Sequence, residues 1–238
     1  MRLPRVFTDA PLSLGCHTLP EDRAHYLTRV LRRSAGDWVQ LFDGSGFEYL
    51  GQLLPSGKTL QVTLHQRLTG LACGKLAIHL GQGLSRGERM DWVIQKATEL
   101  GANLITPIIT ERCEVQLNDA RREKRLAHWR QIAISACEQC GRSYLPQINP
   151  PQSLSHWLAS TFADLKLVLA PQSGGTLDNA HAKSLALLIG AEGGLTVQEV
   201  EQAGAAGFYP LQLGPRILRT ETAAVAALAV AQQRWGDF

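Results

Sequence analysis

The sequence lacks most of the features that would place a chain at a glance. No sign of charge dominates, with 24 Lys and Arg against 21 Asp and Glu, so the composition permits a nucleic-acid partner without requiring one. Cysteine is sparse and odd in number (Cys16, Cys73, Cys113, Cys137, Cys140), which excludes a disulfide framework and fits a reducing cytosol. Long apolar runs are missing: the longest, Ala223 to Ala231, is about half of the roughly 20 residues a membrane helix needs, so no span is expected. The first ten residues carry two arginines with no apolar stretch behind them and do not read as a secretory signal; a cytoplasmic protein is expected. Metal-ligand spacing is also wanting. The seven histidines form no HxxxH or HxxE set, and Cys137-Glu-Gln-Cys140 has no second pair, so it reads as two small core residues on one helix face and no metal site is expected.

What is present is ordinary globular composition, 45% hydrophobic and 19% charged, in a 238-residue chain that can support a sizeable core. Residues 1–70 read as a small β-rich domain: Trp38–Phe42, Phe47–Leu50 and Leu60–Leu64 are strand-like, and Asp43-Gly-Ser-Gly46 between the first two is hairpin chemistry. Around Thr69–Gly74 small residues mark a boundary. Residues 71–238 then alternate apolar runs with helix-period stretches, the grammar of an α/β domain with a mostly parallel sheet and helices on both faces. Strands are predicted at Leu76–Leu80, Leu104–Ile109, Leu165–Leu169 and Leu185–Ile189, and helices at Arg89–Leu100 and about Arg121–Cys140. Thr196-Val-Gln-Glu199 is a capping box that starts a helix ending near Ala206, and a last helix closes the sequence.

Three segments could carry chemistry. Gly81-Gln-Gly83-Leu-Ser-Arg86-Gly87 has the outline of a dinucleotide-binding loop, but Arg86 stands where the third glycine belongs and no acidic residue follows for a ribose, so a polar strand-to-helix loop is the plainer reading. The other two lie close together. Ile189-Gly190-Ala191-Glu192-Gly193-Gly194 and Leu213-Gly214-Pro215-Arg216-Ile217-Leu218-Arg219-Thr220-Glu221-Thr222 each leave a strand and open a helix. Crevices beyond the carboxyl ends of parallel strands bind ligands, helix N-termini offer unpaired N–H groups, and glycine lets a flat ligand approach the backbone. On spacing alone, tight turns with an N-capping Thr220 explain these segments equally well.

Together they resemble the SPOUT class of methyltransferases, and more closely the bacterial family that methylates N3 of a uridine in 16S ribosomal RNA. IGAEGGLTVQEV and LGPRILRTETA carry the likeness. So do His25-Tyr-Leu-Thr-Arg29-Val-Leu-Arg32, Arg89-Met-Asp-Trp-Val-Ile-Gln-Lys96-Ala-Thr-Glu99-Leu-Gly101, Thr110-Glu-Arg112-Cys113 and Glu138-Gln-Cys-Gly141-Arg142. Two departures are Ala191, where the family usually has proline, and Ser143-Tyr-Leu-Pro146, which is less basic than in the family. The resemblance implies a C-terminal trefoil-knotted domain, a small PUA-like N-terminal β-barrel, a homodimer, and 16S rRNA in the small ribosomal subunit as partner. It implies an S-adenosylmethionine pocket formed by Leu169, Gly190, Ala191, Glu192, Gly193, Leu213, Gly214, Pro215, Ile217 and Leu218. Arg219 is the expected cation at the reacting base, Arg142 a second candidate, and Glu221 either a base or a first-turn carboxylate of the last helix. Arg2, Arg5, Arg29, Arg32 and Arg33 are expected at RNA phosphates. A ribose 2′-O methyltransferase of the same class and a non-catalytic RNA-binding factor are the alternatives.

Overall fold

A computed structural model describes residues 3–55, 59–115, 118–170 and 181–238. They fall into two compact units, Met1–Cys73 with Cys137–Leu145, and Gly74–Ala136 with Pro146–Phe238.

The first unit is built on a five-stranded sheet in the order β1-β3-β4-β5-β2, with β1 at Arg5–Phe7, β2 at Gly15–Thr18, β3 at Trp38–Phe42, β4 at Phe47–Leu53 and β5 at Gln61–Thr69. Alternation does the folding. Val39 and Leu41 of β3, Tyr49 and Leu53 of β4, and Val62 and Leu64 of β5 point to one face and close over Val6, Leu19 and Leu27 in a single core. Helix α1 (Glu21–His25) runs into a π-helical turn, Tyr26–Val30, in which the Leu31 amide reaches back to the Tyr26 carbonyl. Arg32 then takes a positive φ of 52°.

The unit also includes Cys137–Leu145, which the sequence assigns to the α/β part, and Arg5 supplies the physical reason. Its guanidinium donates to the carbonyls of Cys137 at 2.5 Å and Arg142 at 3.1 Å and pairs with Glu48 at 2.5 Å. Glu48 accepts in turn from the Ser143 hydroxyl. A cation beside the carbonyls at the C-terminal end of a helix is favourable, and burying it is tolerable only because the carboxylate is there. Arg5 is therefore corrected: its side chain is 5% exposed and fully engaged, so it holds the fold rather than an RNA phosphate. Arg2 lies outside the described residues.

The second unit is an all-parallel sheet in the order β12-β10-β11-β6-β7-β8. Its strands are β6 (Ala77–Gly83), β7 (Leu104–Ile109), β8 (Gln147–Ile148), β9 (Gln152–Ser153), β10 (Leu165–Leu169), β11 (Ser184–Ile189) and β12 (Tyr209–Leu211). Helices cover both faces. On one, α2 (Glu88–Glu99), α3 (Asp119–Cys140) and α6 (Thr220–Trp235) bury Val93, Ala133 and Leu228 against Ile78, Leu80, Leu167 and Leu187. On the other, α4 (Leu154–Ser160) and α5 (Val197–Ala205) set Trp157 and Ala203 against Val168, Ala186 and Leu188. Strands buried on both sides read as continuous apolar runs, which is why they were legible.

Pro107 explains the one irregular edge. β7 pairs with β8 at Leu104 and Ile105 and with β9 at Ile108 and Ile109; the ladder breaks around a residue that has no N–H to give. At the break, the Asn149 amide donates to Thr106 Oγ1, which lies 2.8 Å from His79 Nε2, and Trp157 Nε1 donates to the same ring nitrogen at 2.9 Å. Burial drives the imidazole pKa down to about 4, so His79 is neutral and accepting.

Candidate active site

β12, β10 and β11 are neighbours and parallel, so their carboxyl ends, and the loops leaving them, lie at one edge of the second unit. The first loop leaves β11 at Gly190. The Gly194 amide returns to the Ala191 carbonyl at 2.9 Å, and Gly194 holds a φ of 68°, a left-handed turn that glycine adopts without strain. The capping box follows as expected: Thr196 Oγ1 accepts from the Glu199 amide, and the Glu199 carboxylate accepts from the Thr196 amide. Glu199 also accepts from the Glu111 amide at 2.8 Å, and Arg112 donates to the Gly193 carbonyl at 2.9 Å. The loop is thus clamped from β7's side. A Cβ on Gly193 would come within 2.8 Å of Arg112 Cβ.

Glu192 is committed to its own loop's position. It accepts from the Arg86 amide at 3.0 Å and from Arg89 at 2.9 Å. Burial raises the carboxyl pKa, but these donors outweigh burial and hold it below its usual value.

The second loop, between β12 and α6, is more open. Gly214 has a φ of 75° and no heavy atom near its missing Cβ, Pro215 and Arg216 are exposed, and Ile217 is 86% exposed. Leu213 and Leu218, with Leu169 at the end of β10, are half-buried against the core. This leaves apolar side chains and free backbone around the strand ends, which suits a flat, partly apolar ligand.

The two loops meet at a buried latch. Thr220 Oγ1 donates to the Gly190 carbonyl at 2.6 Å and accepts from Gln82 Nε2 at 2.9 Å. Gln82 is 0% and Thr220 7% exposed. Thr220 is therefore the first residue of α6 and not its N-cap; Arg219 holds the cap position with extended backbone and no side-chain capping bond. The flanking glycines of Gly81-Gln-Gly83 find their explanation here. The segment is the end of β6 and not a loop, and a Cβ on Gly83 would sit 2.1 Å from the Ala191 nitrogen, one on Gly81 2.5 Å from the Trp157 ring. Sequence reasoning missed Gln82 and took Thr220 only as an N-cap. The available signal was glycine at alternate positions of a strand, which marks another backbone approaching closely.

Arg219 is exposed, and its guanidinium has no hydrogen bond or ion pair among the described residues. Glu221 stands two residues on, half-buried, with Oε2 out of contact with water and without a donor; its charge reaches Arg89. Arg219 and Glu221 thus stand two residues apart where the second loop enters α6, Arg219 exposed and Glu221 half-buried. Arg142 belongs to the other unit, bridging to Leu71. Among the described residues no three His, Cys, Asp or Glu side chains gather as a metal would require.

Fold and site define a class. Residues 73–232 match the model of an RNA methyltransferase domain and residues 19–64 that of an RNA methyltransferase PUA domain. The chain is 35% identical over its whole length to the ribosomal RNA small subunit methyltransferase E of Buchnera aphidicola subsp. Schizaphis graminum, covering 98% of that protein. It is 30% identical to the protein of the same name from Bacillus subtilis, over 87% of this chain and 86% of that one. Among solved structures, the Neisseria gonorrhoeae ribosomal RNA small subunit methyltransferase E bound to S-adenosyl methionine superposes with a TM-score of 0.92 at 38% identity, covering all of both chains. A Legionella pneumophila protein in complex with the cofactor SAM gives 0.97 at 37% identity, again over both whole chains. The chain belongs to the family of the ribosomal RNA small subunit methyltransferase E.

Proposed function

We propose that this enzyme transfers a methyl group from S-adenosylmethionine to N3 of a specific uridine in 16S rRNA of the small ribosomal subunit. The observation that carries the reading is the latch. Gln82, Thr220 and Gly190, from three segments, join the two glycine-bearing loops that leave the carboxyl ends of β11 and β12, and relatives matched over their whole length are solved with S-adenosylmethionine bound. The site fits that group: Gly190, Ala191 and Gly193 offer backbone, while Leu169, Leu213, Ile217 and Leu218 offer apolar surface, with Glu192, Gly214 and Pro215 shaping the loops around them. When bound, S-adenosylmethionine supplies an electrophilic methyl group.

The protein's part is positioning and charge. Methylation at N3 needs the imide proton removed and negative charge on the flanking carbonyl oxygens stabilised. Arg219, exposed and without an ion pair among the described residues, is the cation that would meet that charge; a guanidinium does not accept the proton. Glu221, or water beside it, takes that duty. The carboxylate also stands in the first turn of α6, where it is favourable whatever its chemical role. Arg142 is the second candidate for that charge-stabilising cation.

The reading includes a trefoil-threaded C-terminal chain. Its support is that α6 follows the edge strand β12 yet packs on α2 and β11, inside the sheet. It also includes a homodimer, for which α2 and α6 offer exposed Trp92 and Val230, and a cytoplasmic location with the ribosome.

Mass-spectrometric mapping of 16S rRNA from a strain lacking the protein tests the function; loss of a 3-methyluridine is the expected result, and loss of a ribose methyl would refute it. Arg219→Ala is expected to keep S-adenosylmethionine affinity within a factor of about three while turnover falls by roughly 100-fold or more, the scale of losing one preorganised charge partner. Full activity of that variant on ribosomal subunits would remove Arg219 from the mechanism.

A further inference from the structure

The first unit carries an arrangement that methyl transfer does not use. Between β4 and β5 the register slips: Leu50 faces Gln66 while Gly51 faces Leu64, so His65 is the extra residue of a bulge. Bulges re-aim a side chain. This one brings the His65 ring to the Trp38 indole, centroids 5.4 Å apart and planes at 51°. Trp38, at the start of β3, is 41% exposed, and His65 is exposed as well.

A single turn leads back from Trp38 to three arginines close together in the sequence. The Asp37 amide donates to the Ser34 carbonyl at 3.1 Å, and the Asp37 carboxylate accepts from the Ser34 amide at 2.8 Å. Before that turn come Arg29 and Arg32, both exposed, and Arg33, half-buried with its Nε unpartnered and shielded from water. They stand on the π-helical turn and on the left-handed Arg32 that follows it. A π-turn and a non-glycine residue at positive φ are both costly, and both concentrate at functional positions.

We propose that this end of the sheet is a nucleotide-stacking platform: Trp38, backed by His65, takes the face of an unpaired base of the substrate RNA, and Arg29, Arg32 and Arg33 hold the adjoining phosphates. The two halves need one another. Arginines alone would place a phosphate backbone without regard to strand, and an exposed indole alone would suit many partners; joined by one short turn, they suit a nucleotide's base and the phosphates next to it. Stacking tolerates any base, so the platform selects single-stranded RNA over duplex, not sequence. The proposal rests on the RNA methyltransferase reading and adds how the substrate is gripped in the first unit.

The test is equilibrium binding of the full chain to naked 16S rRNA and to assembled small subunits over a salt series, with S-adenosylmethionine affinity measured in parallel by calorimetry. Trp38→Ala is expected to weaken binding to both RNA forms by roughly 10- to 100-fold with an unchanged salt slope. Trp38→Phe should recover most of that loss, and Arg32→Ala should lower the salt slope by about 0.7. Donor affinity should stay at the wild-type value throughout. Unchanged RNA affinity in Trp38→Ala, or a loss that Trp38→Phe does not restore, overturns the platform. A loss confined to assembled subunits assigns Trp38 to a protein partner and overturns it too. A wild-type chain that binds neither RNA form defeats the RNA methyltransferase reading itself, a different result from a wild-type chain whose RNA binding ignores Trp38.

Discussion

Single residues decide how the site is held. Thr220 is the sharpest case, because one hydroxyl both donates to Gly190 and accepts from Gln82. Thr220→Val keeps the shape but removes both bonds from a dry environment, leaving the Gly190 carbonyl only its 3.4 Å contact with Gln82 Nε2, at a cost of about 1–3 kcal/mol. The expected result is a lower midpoint in urea and a weakened S-adenosylmethionine affinity, with Thr220→Ser restoring both; if calorimetry finds donor affinity unchanged in Thr220→Val, the latch does not set the pocket. Arg5 is the counterpart in the first unit. Arg5→Ala leaves Glu48 buried without its cation and removes a donor from the carbonyls of Cys137 and Arg142, and should cost about 3–5 kcal/mol in denaturant unfolding. Little of this was legible beforehand. An arginine near the start of an RNA enzyme reads as a phosphate contact, and only the burial of Glu48 and the carbonyls at 137 and 142 shows that it is already occupied.

Elements followed the sequence where their stability is local and departed from it where it is not. Trp38–Phe42, Leu104–Ile109 and Leu165–Leu169 are strands at the predicted bounds, because alternation or an unbroken apolar run states which faces are buried. The Thr196–Glu199 box likewise starts α5 as read. β1 escaped notice because three residues carry no periodicity; Arg5–Phe7 is a strand only by pairing with Gln40–Phe42. β6 was read short by three residues, since glycine at 81 and 83 suggests a loop until the backbone of Ala191 is seen against it. That contact makes a prediction at this scale. Gly83→Ala should displace the Gly190–Gly194 loop, because a methyl 2.1 Å from the Ala191 nitrogen cannot be absorbed by a side-chain rotation. A folded variant with S-adenosylmethionine binding lost, read by circular dichroism and calorimetry, is the expected outcome; wild-type affinity would mean the loop can shift freely.

Across the whole molecule, acid sensitivity should trace to the interior of the α/β unit. His79 is held neutral with a pKa of about 4 against an ordinary 6.5, so between those values the unfolded chain binds a proton that the folded one refuses. Stability from this group is complete above about pH 6.5 and declines as pH falls toward 4, by about 3 kcal/mol in all. His79→Gln keeps an acceptor for Trp157 and does not titrate, so its urea midpoint should fall less steeply over that window. A parallel decline in the two proteins would clear His79 of the effect. Nothing in the sequence singled out this histidine from the other six; its role comes from Thr106, itself held by Asn149, and Trp157 meeting at its ring where Pro107 interrupts the ladder.

The outermost strand of that sheet, β12, has only three residues and carries Pro210 at its centre, opposite Val168. An exposed sheet edge invites a strand from another molecule to add to it, and proline denies the visitor one of the few amides it could use. The strand that leads into the donor-side loop is therefore also a guard against aggregation. Pro210→Val, although it raises strand propensity, is expected to lower the concentration at which the enzyme stays monodisperse in light scattering.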